Sequence, residues 1–277
     1  MVEIHPTAIV DVKAELLDGV KVGPYAIVEA GAIIGEETAI GSAALITGYS
    51  RIGRCCQIGH GAIIGANPQD LKFHDEPTLA IIGDHTVVRE YATVNRGTAA
   101  HGETKVGAHC MLMSYVHVAH DCIIGDNVIL ANCVNMAGHV EIGDYVNVGG
   151  VVPIHQFVRI GPHSFIGGGY RVAKDVPPFI LAVGEPLRFS NLNVVGLRRR
   201  GFSPQTLRQL HQLYRIIYRS GLNLSQALER ARAEIPVTAE TKIVLDFFAS
   251  TKRGVIGGGR RFGVSERSED DGVDAAK

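Results

Sequence analysis

The chain has 277 residues, a formal net charge of −1 and 20% charged residues. That length suits one large domain plus a smaller one, and the balanced charge excludes a global attraction to nucleic acid or to a membrane surface. Thirty-three glycines beside no tryptophan and only 6% aromatics point to a repeated backbone turn with small, uniform core side chains.

From the start, Met1 to Pro6 lacks the basic-then-apolar pattern of a signal peptide. No stretch approaches the ~18 apolar residues of a membrane span. The cysteines, Cys55, Cys56, Cys110, Cys122 and Cys133, are odd in number and contain no CxxC pair, so ordinary small buried thiols in a reduced, cytoplasmic setting are expected.

The first 175 residues carry a repeat. Every sixth position from Ile4 is aliphatic: Val10, Leu16, Val22, Val28, Ile34, and so on to Val172, with 29 positions in the frame and only Asp70, Glu76 and Ala100 departing from it. Glycine often follows directly, as at Gly23, Gly35, Gly41, Gly83 and Gly107. A period of six fits neither a helix nor a plain alternating strand. It fits a chain that turns a corner every six residues and buries one aliphatic side chain per side, three sides closing a coil of roughly 18 residues. Glycine or another small residue at the corner is expected to take positive φ. The predicted class is mainly β, a parallel β-helix of hexapeptide repeats followed by a small α-helical C-terminal domain.

Two interruptions leave this frame, near 66–81 and 97–105, and both read as loops of the kind that carry function. The frame ends at Asp175-Val176-Pro177-Pro178. Ser203-Pro204 then marks a helix start, with a capping hydroxyl and proline at the first helical position. Leu207, Leu210, Tyr214, Ile217 and Tyr218 form its apolar face up to Gly221, and shorter helices are expected near 225–234 and 239–250. The predicted division is 1–176 for the β-helix, 177–256 for the helical domain, and 257–277 for a charged, glycine-rich tail expected to be disordered.

Histidines concentrate within a few coils: His101, His117, His120, His139 and His155. His101, His120 and His139 are each 19 residues apart, one coil plus one, so they are expected to stack near one edge, with Asp121 adjacent. Two chemistries compete for such a cluster. Three histidines can hold zinc, as in carbonic anhydrases built on the same repeat. Alternatively, a neutral imidazole can take a proton from an attacking hydroxyl. A catalytically idle scaffold explains the repeat but not the histidines and loops together.

The runs Asn67-Pro68-Gln69-Asp70-Leu71-Lys72, Val94-Asn95-Arg96-Gly97-Thr98, His117-Val118-Ala119-His120-Asp121-Cys122, Met136-Ala137-Gly138-His139-Val140, Ile154-His155-Gln156-Phe157 and Gly196-Leu197-Arg198-Arg199-Arg200-Gly201-Phe202 resemble the UDP-N-acetylglucosamine O-acyltransferase family over about residues 4–255. The resemblance implies a left-handed coil. It also implies transfer of a 3-hydroxyacyl group from acyl carrier protein to the 3-position of UDP-N-acetylglucosamine, the first committed step of lipid A synthesis, without metal or organic cofactor. A related N-acyltransferase acting on an already acylated sugar normally carries an added N-terminal domain, whereas the repeat here begins at residue 4.

By position, His120 matches the family's general base, Asp121 its supporting carboxylate, and Gly138 the residue whose N–H faces the developing oxyanion. Asp70, Lys72, His117, His139 and Gln156 match positions lining the sugar and acyl site. Asn193, Arg199 and Arg200 match the nucleotide-binding region, where arginine forks suit phosphate. Arg215 and Arg219 are expected to help receive acidic acyl carrier protein. Asn95 stands where the family usually has histidine, which opens the alternative of a 3-amino sugar acceptor and an amide product. Gly168 matches a position where larger residues shorten the acyl pocket. By the same resemblance a homotrimer is expected, with Met111, Met113 and Tyr115 on an outer face covered by a neighbouring copy.

Overall fold

The computed structural model describes residues 1–258. Short strands, most of two residues, recur every six residues and stack in parallel into three sheets of twelve, eight and eight strands, here called the first, second and third faces. Glu3 pairs with Lys21, Lys21 with Ala39 and Ala39 with Gln57, so each coil takes 18 residues. The result is a left-handed parallel β-helix.

Each side contributes two inward residues. The large one is the sixth-position aliphatic, and Ile34, Ile46, Ile64, Leu112, Leu130 and Met136 are fully buried. The small one lies two residues earlier, as at Ala26, Ala44, Ala62, Ala92, Cys110 and Cys122. Cys56, Cys110 and Cys122 thus fill the small slot, whereas Cys133 is exposed and Cys55 half-buried, because both occupy corners. At the first coil the frame residue Ile4 is 47% exposed, since among the described residues no rung covers it from below.

The corners differ from the sequence expectation. Except at Gly65, positive φ falls not on a glycine that directly follows a frame aliphatic but two residues later; glycine fills that corner at Gly19, Gly31, Gly61 and Gly169, and elsewhere it is borne by Glu37, Cys55, His85, Tyr91, Tyr115, Asp121, His139, Tyr145, Phe157 and His163 among others. A left-handed non-glycine residue costs roughly 1–2 kcal/mol. The N–H of each such corner donates to the preceding rung, as from Cys55 to Glu36 at 2.7 Å and from His139 to His120 at 3.1 Å, which offsets that cost. The glycines serve another end: a Cβ on Gly107 would lie 2.4 Å from the Gly125 carbonyl oxygen, and on Gly35 2.5 Å from Gly53 backbone. They permit close rung-to-rung approach.

Both interruptions leave the coil at the same corner, between the second and third faces. The first departs from Ile63–Ala66 and returns in Leu79–Ile82; the second departs from Thr93–Asn95 and returns in Glu103–Val106. The two return strands are four residues long because Leu79 to Ile82 pair with Glu103 to Val106, so the irregular stretches are shorter than expected, 67–78 and 96–102.

The first face does not stop at the last coil. Ile180–Val183 adds to Phe165–Ile166, Arg188–Leu192 returns antiparallel, and Gly257–Gly258 forms the edge. The expected boundary at 176 is therefore crossed by one continuous sheet. Of the expected tail, Gly257 and Gly258 are strand, and 259–277 lie outside the described residues. Among the described residues there are four helices: α1 (Val194–Arg199), α2 (Pro204–Arg219), α3 (Leu224–Glu234) and α4 (Ala239–Ser250). Ser203 caps α2 with Pro204 in its first turn, as the sequence indicates. The short α1, capped by Asn193, was not expected, because six residues are too few to show a helical period.

Candidate active site

The corner between the second and third faces gathers most of the chemistry. His120 follows the strand His117–Val118 and Gly138-His139 follows Asn135–Met136 one rung above, so successive coils deliver them to one edge. His120 Nδ1 lies 2.7 Å from Asp121 Oδ2. Asp121 is fully buried. Its Oδ1 accepts from the Thr98 N–H at 2.9 Å and the His101 N–H at 3.3 Å, and its Oδ2 accepts from the Thr98 hydroxyl at 2.7 Å. Burial alone pushes this carboxyl up, but the hydrogen bonds from His120 and Thr98 together outweigh it and hold it below its ordinary value. An ionised Asp121 fixes the His120 proton on Nδ1 and leaves Nε2 as the free base.

Gly138 lies directly against that base. A Cβ there would meet His120 Cε1 at 2.5 Å and Nε2 at 2.7 Å, so only glycine fits. The Gly138 N–H has no acceptor among the described residues. His139 stacks on Phe157, with centroids 4.6 Å apart, and meets His120 and His101 edge-on at 5.1 and 5.4 Å. Burial is the main cause that lowers the His139 imidazole below its ordinary value, followed by the opposing pull of Asp121. His117, also lowered chiefly by burial, lies 2.7 Å from the Thr93 hydroxyl.

His120, Asp121 and His139 also form a potential metal-donor group, their ligand atoms within 4.8 Å of one another. A zinc set needs donors about 2 Å from one centre. Here the Asp121 oxygens are already taken by Thr98, His101 and His120. The donor set is built for hydrogen bonding, which fits acid–base work better than metal.

The remaining predicted positions divide. Asp70 and Lys72 sit in the first interrupting loop, where the Asp70 carboxylate accepts from the Lys72 N–H at 3.0 Å and its charge reaches His139. Gln156 is exposed at the same corner, one rung above Gly138. Asn95 is buried there; its amide donates to the Asn67 carbonyl at 2.9 Å and the Ala66 carbonyl at 3.3 Å, and its Oδ1 has no partner among the described residues. His155 shares the corner but is tied elsewhere, its Nδ1 2.8 Å from Arg253.

Gly168 is not brought to this edge within one chain. It follows the first-face strand Phe165–Ile166, at the corner between the first and second faces, stacked on Gly150. Asn193 lies at the third corner, capping α1 while its amide donates to the His163 carbonyl at 3.0 Å. Arg200 sets its guanidinium 5.0 Å from the Tyr145 ring at that corner, whereas Arg198 and Arg199 are exposed. Arg198 joins Arg208, His211 and Arg215 around a groove of about 580 Å³ floored by Leu192, Phe202 and Leu207. Thr98 was not singled out from sequence, because no spacing shows that the second interruption folds back onto Asp121.

Residues 175–256 match the family described as Udp N-acetylglucosamine O-acyltransferase, domain 2, and residues 103–138 match the bacterial transferase hexapeptide repeat. An acyl-[acyl-carrier-protein]–UDP-N-acetylglucosamine O-acyltransferase of Syntrophobacter fumaroxidans is 48% identical over 256 residues, covering 92% of this chain and 99% of that one. The chain belongs to the UDP-N-acetylglucosamine O-acyltransferase family. A crystal structure of a UDP-N-acetylglucosamine acyltransferase from Bacteroides fragilis matches at a TM-score of 0.90 and 44% identity, over 91% of this chain and 99% of that one. One from Moraxella catarrhalis matches at 0.88 and 40%, over 91% and 99%. One corner thus holds an imidazole hydrogen-bonded to a buried carboxylate and beside it an N–H with no acceptor among the described residues.

Proposed function

We propose that the chain transfers a 3-hydroxyacyl group from acyl carrier protein to the 3-hydroxyl of UDP-N-acetylglucosamine, an early step of lipid A synthesis, with His120 as general base. The observation that carries this reading is the packing of Gly138 against the free nitrogen of an Asp121-oriented imidazole. His120 Nε2 takes the proton of the sugar hydroxyl as its oxygen attacks the thioester carbonyl. The carbonyl oxygen gains negative charge and faces the Gly138 N–H. When the intermediate collapses, the C–S bond breaks and the thiolate receives the proton from the His120 imidazolium. Asp121 remains ionised throughout and stabilises that imidazolium.

Asp70, Lys72, Asn95, His117, His139 and Gln156 are assigned to the sugar and acyl site, since they lie at this corner or, for His117, on the second-face strand leading into it. Arg199, Arg200 and Asn193 are assigned to the nucleotide and Gly168 to the acyl chain. Those positions sit on the other two edges of one chain, so they join the histidines only when a neighbouring copy supplies its edge. That supports a homotrimer. Exposed Tyr25, Tyr91, Tyr115 and Val151 along one corner supply apolar surface for such packing. The groove lined by Arg198, Arg208 and Arg215 is basic with an apolar floor, which suits an acidic carrier protein. Among the described residues no helix is long and apolar enough to cross a membrane.

The test is incubation with UDP-N-acetylglucosamine, its 3-amino analogue and a series of acyl carrier protein thioesters, read by mass spectrometry. Ester formation on UDP-N-acetylglucosamine is expected. His120→Ala is expected to lower kcat by about 10²–10⁴ without loss of fold; retained turnover would remove the catalytic assignment.

A further inference from the structure

The short run Arg96-Gly97-Thr98 touches both halves of the site at once. Arg96 is 99% buried, unusual for a guanidinium, and among the described residues its side chain hydrogen-bonds only to the first interrupting loop. Its Nε donates to Asn67 Oδ1 at 3.0 Å, one terminal nitrogen donates to the Glu76 carbonyl at 2.9 Å, and the other pairs with the Asp75 carboxylate. The guanidinium plane is held between aromatic rings, 3.8 Å from the Tyr49 centroid and 4.8 Å from that of Phe73. Asp70 and Lys72 lie between these anchor points, so the arginine fixes the loop that bears them. Two residues on, Thr98 binds both oxygens of Asp121 through its N–H and its hydroxyl. Gly97 between them passes so close to Glu103 that a Cβ would lie 2.5 Å from its nitrogen.

We propose that Arg96 and Thr98 are positioning residues on one rigid strut: Arg96 holds the Asp70–Lys72 loop over the acceptor sugar, and Thr98 holds Asp121 in the orientation that leaves His120 Nε2 free. The inference rests on the acyltransfer reading above. It assigns separable effects to neighbouring residues. A carboxylate with one donor fewer can turn from the His120 Nδ1–H and release the imidazole, which harms the chemical step. A loosened loop harms capture of the sugar. Lysine cannot substitute for Arg96, because an ammonium has no planar fork to serve three acceptors between two rings.

The experiment is steady-state kinetics of the full-length chain with UDP-N-acetylglucosamine varied at saturating acyl carrier protein thioester. Thr98→Val is expected to lower kcat about tenfold or more with KM for the sugar nucleotide within about twofold, and Thr98→Ser to restore most of kcat. Arg96→Met and Asp75→Asn are expected to raise that KM about fivefold or more with kcat within about twofold. Should Arg96→Met fail to fold, Asp75→Asn decides alone, since it alters an exposed carboxylate. The proposal is overturned if Thr98→Val changes only thermal stability, if Thr98→Ser behaves like Thr98→Val, or if KM is unmoved when Arg96 loses its loop partner. An unaltered chain inactive on UDP-N-acetylglucosamine would strike the acyltransfer reading instead; unchanged variants beside an active parent strike the strut.

Discussion

Two residues show how tightly the site is built. Gly138 leaves no room for a methyl group against His120, so Gly138→Ala must displace the base or the rung beneath it. A fall in kcat of about 10² or more is expected, with a smaller change in KM, because the methyl disturbs groups that act mainly in the transition state. His163 is instructive for a different reason. It packs between Tyr145 and Phe179, and burial first, then the nearby Arg200 charge, hold its imidazole down at about 4. Its Nδ1 is buried without a partner among the described residues. A histidine neutral in the fold but able to charge when unfolded favours the unfolded chain as acid is added. Its stabilising contribution is therefore complete above its ordinary value of 6.5 and declines as pH falls from there toward about 4. Thermal melts between those limits should show this slope, and His163→Phe should flatten it. Asp121 acts in the same sense at lower pH: its lowered carboxyl also stabilises the fold above its ordinary 3.8, and that contribution is lost only as pH falls below it, outside that window.

At the scale of elements, α2 turns its apolar side, Leu210, Leu213, Tyr214 and Ile217, to the core and leaves Arg208, His211, Arg215 and Arg219 outward at helical spacing. Arg208→Glu with Arg215→Glu should raise KM for the acyl carrier protein thioester, spare KM for the sugar nucleotide, and weaken the salt dependence of the rate. Surface plasmon resonance with the carrier protein across a salt series checks the same point. This helix was legible in the sequence from its cap, proline and apolar period. The strands were legible too, through the sixth-position aliphatics. The corners were not, because glycine after each aliphatic suggested a left-handed turn, whereas the actual requirement there is room for the next rung's backbone. The dyad His120-Asp121 could be placed from spacing and resemblance; Thr98 could not, since its hydrogen bonds depend on how a 96–102 excursion folds back onto Asp121.

Over the whole molecule the core is one ladder, and each rung has the same chemistry but not the same surroundings. Leu130 is fully buried amid neighbours above and below, and Leu130→Ala should cost about 2–5 kcal/mol. Ile4 holds the same place in the repeat yet is 47% exposed, so Ile4→Ala should cost under about 1 kcal/mol. Equilibrium denaturation of the two variants tests whether stability follows neighbours rather than motif.

The two ends of the prism are unlike. At the far end the first-face sheet is closed by Ile180–Val183, Arg188–Leu192 and Gly257–Gly258, while Asp175 is bridged to Val255. At the near end Glu3–Ile4 pairs on one side only, with Lys21–Val22, among the described residues. The molecule is thus directional, its two ends built differently. Extra courses laid beneath Glu3 would meet matching backbone groups and lengthen the shaft without touching the catalytic corner. Courses inserted above Ile166 would lift the helical domain off its seat and carry Arg200 and the basic groove out of register with the histidines.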